Sequence, residues 1–110
     1  MEHLAAGRRR AILARGRTMT LRRAAGPGVP QVDVSLVGFP RLYQPGEIEG
    51  AIQQGDQRVE ILNEEIVAAG FPAPGKGIWL VLDGRQVKVE GAMPVYEGAA
   101  VIGWSLWVRG

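Results

Sequence analysis

The residue types able to do chemistry in this chain are few. There is one histidine, His3, and there is no cysteine. Ser–His and Cys–His nucleophilic catalysis, and metal centres built on imidazole or thiolate, each need such a group positioned in a pocket. His3 lies at the leading end and is the sole candidate. Without cysteine, disulfides, thiolate zinc sites and iron–sulfur clusters are excluded. What remains is Ser35, Ser105, Thr18, Thr20, Lys76, Lys88 and eleven carboxylates. A carboxylate acid/base pair is therefore the one formal route to catalysis. The expectation is a protein that is not an enzyme and that carries no cofactor and no metal.

Glycine motifs do not change that reading. Gly26-x-Gly28 lacks the third glycine and the βαβ setting of a dinucleotide fingerprint, and no loop ends in Gly-Lys-Ser/Thr. Gly55-Asp56 reads as a tight turn with an Asx hydrogen bond ahead of a strand.

Charge is the first positive signal. Residues 1–23 hold seven arginines (Arg8, Arg9, Arg10, Arg15, Arg17, Arg22, Arg23) against Glu2, while residues 24–110 hold six basic and ten acidic groups. A net +6 thus precedes a net −4, giving the overall +2. Such asymmetry points to a basic arm meeting something anionic, either nucleic acid or an acidic patch on another protein. A solvated cationic helix is the plainer alternative. No apolar stretch approaches the roughly 18–20 residues of a membrane span. A secretory signal would need an apolar run of about 7–15 residues, which is also missing, so an unprocessed, intracellular chain is expected.

The elements that must position these groups follow from pattern. Glu2 to Arg15 favours a helix with a narrow, cationic stripe, marginal alone and stabilised by a partner subunit or by anions on its arginines. From Arg17 the texture turns to β. Residues 17–23 make a short strand, 24–30 a Gly/Pro turn, and Val32, Val34 and Leu36 a half-buried strand running towards Phe39, with Pro40 placing its end at an edge. Tyr43 to Asp56 is too rich in Gly and Pro for a central strand, and a loop of that length usually serves function. Val59 and Ile61 begin the next strand. Asn63 can cap a short helix, Glu64 to Ala69, stopped by Gly70 and Pro72. Ile78 to Leu82 is apolar on both faces, so both should be covered, the outer one by a helix or a neighbouring subunit. Asp83-Gly84 signals a hairpin into Arg85 to Val89, a turn is expected around Pro94 to Gly98, and a last strand carries Ile102, Trp104, Leu106 and Val108 on one face.

About six strands at such spacing predict a mainly β fold: a small antiparallel barrel or sandwich with a basic N-terminal helix, one short internal helix and a long loop. Residues 1–15 form the arm and 16–110 a single barrel domain with the extended loop 43–56. Trp104 belongs to the core face. Trp79 and Trp107 fall on the opposite faces of their strands, where ordinary packing and a subunit interface are equally open.

The order of landmarks carries a further signal: Gly16-Arg17-Thr18-Met19-Thr20-Leu21-Arg22-Arg23, then Val37-Gly38-Phe39 leading to Pro45-Gly46-Glu47-Ile48-Glu49-Gly50, then Ile52-Gln53-Gln54-Gly55-Asp56-Gln57-Arg58-Val59, Asp83-Gly84-Arg85 with Val87-x-Val89, and a closing Trp107-Val108-Arg109-Gly110. Over roughly residues 15–110 this series resembles the head-closure, or stopper, proteins in the neck of long-tailed phages and phage-derived gene transfer particles. The resemblance implies a β-barrel subunit of a ring, six copies being the expected number, made in the bacterial host cytoplasm and built into the virion neck. Its neighbours would be the portal and adaptor proteins on one side and the tail terminator on the other, with packaged double-stranded DNA held non-specifically in the channel. Adaptor and tail-terminator rings of the same neck are the near alternatives, and a free-standing nucleic-acid-binding barrel using the basic arm is the distant one.

Carried onto this chain, the channel loop would be residues 43–56, with Gln44, Glu47, Glu49, Gln53 and Gln54 facing DNA. Its glutamates would repel phosphate, which suits a gating lining better than a clamp. Arg8, Arg9, Arg10, Arg15, Trp79 and Trp107 are the candidates for subunit or partner contacts.

Overall fold

The computed structural model describes residues 3–43, 46, 50, 52, 53 and 55–109. Among these residues eight elements follow in order: α1 (His3–Arg15), β1 (Arg17–Arg23), β2 (Val32–Leu42), β3 (Gln57–Leu62), α2 (Asn63–Ala68), β4 (Trp79–Leu82), β5 (Arg85–Glu97) and β6 (Ala100–Arg109). All strand pairs are antiparallel, and the order β1-β2-β3-β6-β5-β4 closes on itself through β1 and β4. The expected small antiparallel barrel, with its basic first helix and one short internal helix, is what the chain forms.

Alternation fills the barrel. Each strand sends two side chains inward: Met19 and Leu21, Val34 and Leu36, Val59 and Ile61, Leu80 and Leu82, Val87 and Val89, Leu106 and Val108. Six strands with a two-residue side-chain period thus build a two-layered interior that apolar groups occupy without a pore. Ile66 of α2 and Phe71 join this core. They meet because α2 ends in a Schellman turn: the Phe71 amide donates to the Ile66 carbonyl (3.1 Å), the Gly70 amide to that of Val67 (3.1 Å), and Gly70 takes φ 68°.

The turns follow their residue types. Pro27-Gly28 closes a tight turn with the Gly26 and Val29 backbones exchanging both hydrogen bonds (2.8 and 2.9 Å), Gly28 supplying φ 71°. Asp83 (φ 54°) and Gly84 (φ 77°) form the primed turn that joins β4 to β5, pairing Leu82 with Arg85. Pro40 sits where β2 has passed the end of β1, paired with Val59 of β3 on one side, which is where a strand tolerates proline.

Three expectations need correction. Pro94 does not turn the chain: β5 continues to Glu97, with Pro94 opposite Trp104, and the turn lies at Gly98-Ala99. Strand β4 pairs with β5 only from Trp79↔Lys88 to Leu82↔Arg85. Beyond it β5 runs as an edge, where a missing amide hydrogen is tolerated, and a register shift between Val89 and Gly91 bends the strand there. Asn63 does not cap α2. Leu62 holds that position without a side-chain bond, because the Asn63 amide is engaged with β6: it donates to the Val101 carbonyl (3.2 Å) and accepts the Trp104 indole N–H (3.0 Å). Thirdly, both helices pack against β2, β3 and β6 rather than over β4. Across the outer side of β1 and β4 runs a polar strap instead, in which Arg22 donates to Asp33 of β2 (2.9 and 3.1 Å) and to Gln86 of β5 (2.8 Å). Trp79 and Val81 are half-buried within this single chain.

Candidate interaction surfaces

The first helix has the arginines that the sequence marks for a partner, and the barrel itself takes two of them. Among its described side chains α1 buries one apolar residue, Ile12, on its inner side, and next to it inserts Arg8. The Arg8 guanidinium donates to the Ile61 carbonyl (3.0 Å), the Glu60 carboxylate (3.0 Å) and the Trp104 carbonyl (3.3 Å). It occupies the space a side chain at position 103 would fill, so Gly103 is the residue that makes the slot. Glu60 in turn accepts from Arg58 (2.8 Å) and from the Ser105 hydroxyl (2.7 Å). Burial pushes the Glu60 carboxyl up, but the Ser105 hydroxyl, Arg8 and Arg58 outweigh it and hold it below its ordinary value.

At its start α1 has no acidic residue in the first turn. Glu97, at the end of β5, supplies the missing charge by accepting from the Ala5 amide (3.3 Å), a favourable place for a carboxylate beside the positive end of the helix dipole. Arg9 meets Glu64 of α2 at 2.9 Å with both side chains about half exposed. The anions that stabilise this marginal helix thus include carboxylates of its own chain. Arg10 and Arg15 are exposed, with no ion pair among the described residues. Further on, Arg17 pairs with Asp83 (3.1 Å), again at the surface.

The second surface is the stem of the long β2–β3 connection. Asp56, 4% exposed, ends it and is the one buried charged side chain among the described residues. Its carboxylate accepts from the Gln53 amide (2.9 Å), the Trp107 indole N–H (2.7 Å) and Arg109 (3.0 and 2.8 Å). Arg109 also lies 5.5 Å from the Trp107 ring centre. Arg109 is the largest influence on the Asp56 carboxyl; with the Gln53 and Trp107 donors it outweighs burial and lowers the pKa from 3.8 to about 2. The tight turn expected at Gly55-Asp56 is present, with the Asp56 amide donating to Gln53 (3.0 Å). The side chain reaches back to residue 53 and across to β6, so it locks the stem to the barrel wall.

Among the expected channel-loop residues, Gln53 is exposed and its backbone joins this latch; Gln44, Glu47, Glu49 and Gln54 lie outside the described residues. Trp107 is half-buried on the outer face of β6, bonded to Asp56. It forms part of a groove of about 440 Å³ between the connection, at Tyr43 and Ile52, and β5, at Met93 and Val95. Trp79 stands on the outer face of β4, in register between Arg22 of β1 and Lys88 of β5. Among the described residues no group of three or more His, Asp or Glu side chains is placed to hold a metal ion, and no helix is long and apolar enough to cross a membrane.

Sequence reasoning missed the roles of Glu60, Arg58, Ser105 and Arg109. Their one visible signal was alternation, since Arg58 and Glu60 are the outward residues of β3. Alternation places a side chain on a face without naming its partner on β6, a strand that neighbours β3 in the barrel but lies some 45 residues on in the chain. In comparisons with known proteins, the chain matches no family model, no curated protein and no solved structure.

Proposed function

We propose that this chain is a structural ring subunit of the phage neck, of the head-closure type: it would sit between the portal and adaptor on one side and the tail on the other, retain packaged DNA and offer a docking surface to the tail. One observation carries this reading. A closed barrel with an apolar interior holds a long connection, residues 43–56, between two neighbouring strands and locks one stem of it through Asp56 to β6. A rigid scaffold presenting a fixed-stem segment is the design of a positioning or gating part. The order of sequence landmarks supplies the kind of assembly. In such a ring the contacts are heterologous, so each subunit needs two different patches; the α1 face with Arg10 and Arg15 and the outer wall with Trp79 and Trp107 are the pair we assign.

A free-standing nucleic-acid-binding barrel is less well supported, because Arg8, Arg9, Arg17 and Arg22 each meet a carboxylate of the same chain. Electron microscopy of the assembled particle tests the proposal. Density for this barrel as a sixfold ring below the portal and adaptor, with residues 43–56 towards the axis, is the expected result. Finding the chain off the neck, or bound through its first 23 residues to free nucleic acid, overturns it.

A further inference from the structure

Two strands of the barrel outrun a neighbour. β4 accompanies β5 only as far as Trp79↔Lys88, with one further bond from the Val89 amide to the Ile78 carbonyl (3.0 Å). From Gly91 to Glu97, β5 therefore has β6 on one side and, among the described residues, no strand on the other. β1 likewise begins at Arg17↔Gly38, which leaves the end of β2, Phe39 to Leu42, with β3 alone. Such edges offer amides and carbonyls to any extended chain, including the same edge of another copy. Both also bear apolar side chains that pairing would cover: Met93 is 71% and Tyr96 54% exposed on β5, and Leu42 is 60% exposed on β2.

The direction in which each backbone group points follows from the register, because successive residues of an antiparallel strand face alternate neighbours. Glu97 and Ala100 close the turn at Gly98-Ala99, so the Glu97 backbone faces β6. Counted back along β5, Val95 and Met93 face β6, and Tyr96, Pro94 and Ala92 face the open side. The register shift between Val95 and Tyr96 leaves this count intact, since its extra residue, Ile102, belongs to β6. Carried across the sheet, the same alternation turns Gly103 and Ser105 to β5, Trp104 and Leu106 to β3, and Arg58 and Glu60 to β2. Arg41 and Phe39 then face β3, and Pro40 faces the open side of β2. At each free edge a proline thus stands at an outward-facing position, where its missing amide is lost to a newcomer and not to the fold.

We infer that Pro94 is a guard that stops copies of this chain from pairing through their β5 edges, with Pro40 as a second instance of the same device on β2. Two β5 edges meeting antiparallel about their middle would set Pro94 against Pro94. Both hydrogen bonds of that central pair would be missing, and the ring carbon that replaces each amide hydrogen would stand where the other carbonyl has to approach. Without the guard, Ala92, residue 94 and Tyr96 form an uninterrupted edge beside exposed Met93, the kind of surface that zips with its own copy. Subunits of this chain therefore meet through side chains and not through a shared sheet. The inference does not rest on the neck assignment: particle imaging decides that one, and association in solution decides this one.

The test uses the full chain and the variants Pro94→Ala and Pro94→Val, with sedimentation velocity for association and amide NMR for the fold and for hydrogen exchange. In the parent chain the Ala92 and Tyr96 amides should exchange rapidly while those of Met93 and Val95 are protected. Both variants should keep the folded spectrum, self-associate at least about tenfold more tightly than the parent, and gain protection at residues 92, 94 and 96 as concentration rises. Alanine restores the amide without adding apolar surface, so equal behaviour of the two variants assigns the effect to the backbone. Adding Met93→Lys to Pro94→Ala exchanges one guard for another and should return association to the parent's level. The inference is overturned if neither variant associates more than the parent, if valine alone does so, or if association leaves these amides unprotected. Protection of Ala92 and Tyr96 already in the dilute parent chain, unfolding of both variants, or association undiminished by Met93→Lys overturns it equally.

Discussion

Asp56 is the residue on which the long connection turns, and its chemistry fixes how the molecule should respond to acid. Its carboxyl titrates at about 2 in the fold against 3.8 ordinarily. A depressed folded value means that the ionised form stabilises the fold; that contribution is full above about pH 4 and is lost as pH falls from about 4 to 2. Asp56→Asn keeps the size and removes the charge facing Arg109. It should cost about 1.5–3 kcal/mol near neutral pH, and urea titrations at stepped pH should show a flatter acid limb in the variant. A residual slope stays, because Asp33, bonded to Arg22, is also held below its ordinary value. Arg8 makes the complementary case. Three acceptors, two of them main-chain carbonyls, meet one planar guanidinium, which a lysine ammonium cannot reproduce. Arg8→Lys should cost about 1–2 kcal/mol in urea unfolding. Gly103→Ala, which drives a methyl into the guanidinium and against the Ile61 carbonyl, should cost about 1–3 kcal/mol. Neither residue declared itself in the sequence. Arg8 was one of seven similar cations, and what singles it out is a glycine 95 positions later, made its neighbour by the barrel.

At the scale of elements, local chemistry wrote what local chemistry can. The Asp83-Gly84 pair announced its hairpin because both positions require φ > 0, and glycine and aspartate are among the residues that adopt it. Asp83→Asn should hold stability within about 0.5 kcal/mol even though it removes the exposed pair with Arg17, since surface pairs contribute little. Asp83→Val, a β-branched residue forced to φ 54°, should cost about 1–2 kcal/mol, read as a lowered urea midpoint. The inward layers were equally legible from period-two alternation at Val32 to Leu36, Val87 to Val89 and Leu106 to Val108. What failed did so where tertiary partners overrode a local preference. Pro94 reads as a turn, but opposite Trp104 on an unflanked stretch of β5 it lacks only a bond that no neighbour would have taken. Asn63 is a good cap residue by type, yet the Trp104 indole outcompetes the helix amides for its oxygen. The outer face of β4 demanded cover by a helix or a subunit; the helices pack elsewhere, and within the chain polar side chains from β1, β2 and β5 form a strap across it.

For the whole molecule the charge asymmetry takes a different meaning once folded. A +6 segment followed by a −4 segment is a picture of an arm reaching outward, but the fold stitches the two together through Arg8–Glu60, Arg9–Glu64, Arg17–Asp83 and Arg22–Asp33. This sets a limit on what the chain can do with nucleic acid. Each neutralised phosphate contributes about −0.9 to the slope of log affinity against log salt. The four arginines of a detached α1 would give about −4, whereas Arg10 and Arg15, the two on α1 without an ion pair among the described residues, would give about −2. Fluorescence anisotropy of a labelled duplex between about 50 and 200 mM salt measures the slope, and a shallow value with weak affinity is expected. A slope near −4 would mean that α1 leaves the barrel on contact with DNA, exchanging Glu60 and Glu64 for phosphates. Arg8 would then lose its slot over Gly103, and Arg8→Lys, which weakens that slot by about 1–2 kcal/mol at equal charge, would lower the cost of detachment and tighten DNA binding by about 5- to 30-fold, whereas in the stitched molecule it would leave DNA affinity nearly unchanged. The two variants of the molecule, stitched and detached, are therefore separated by one salt series and one substitution.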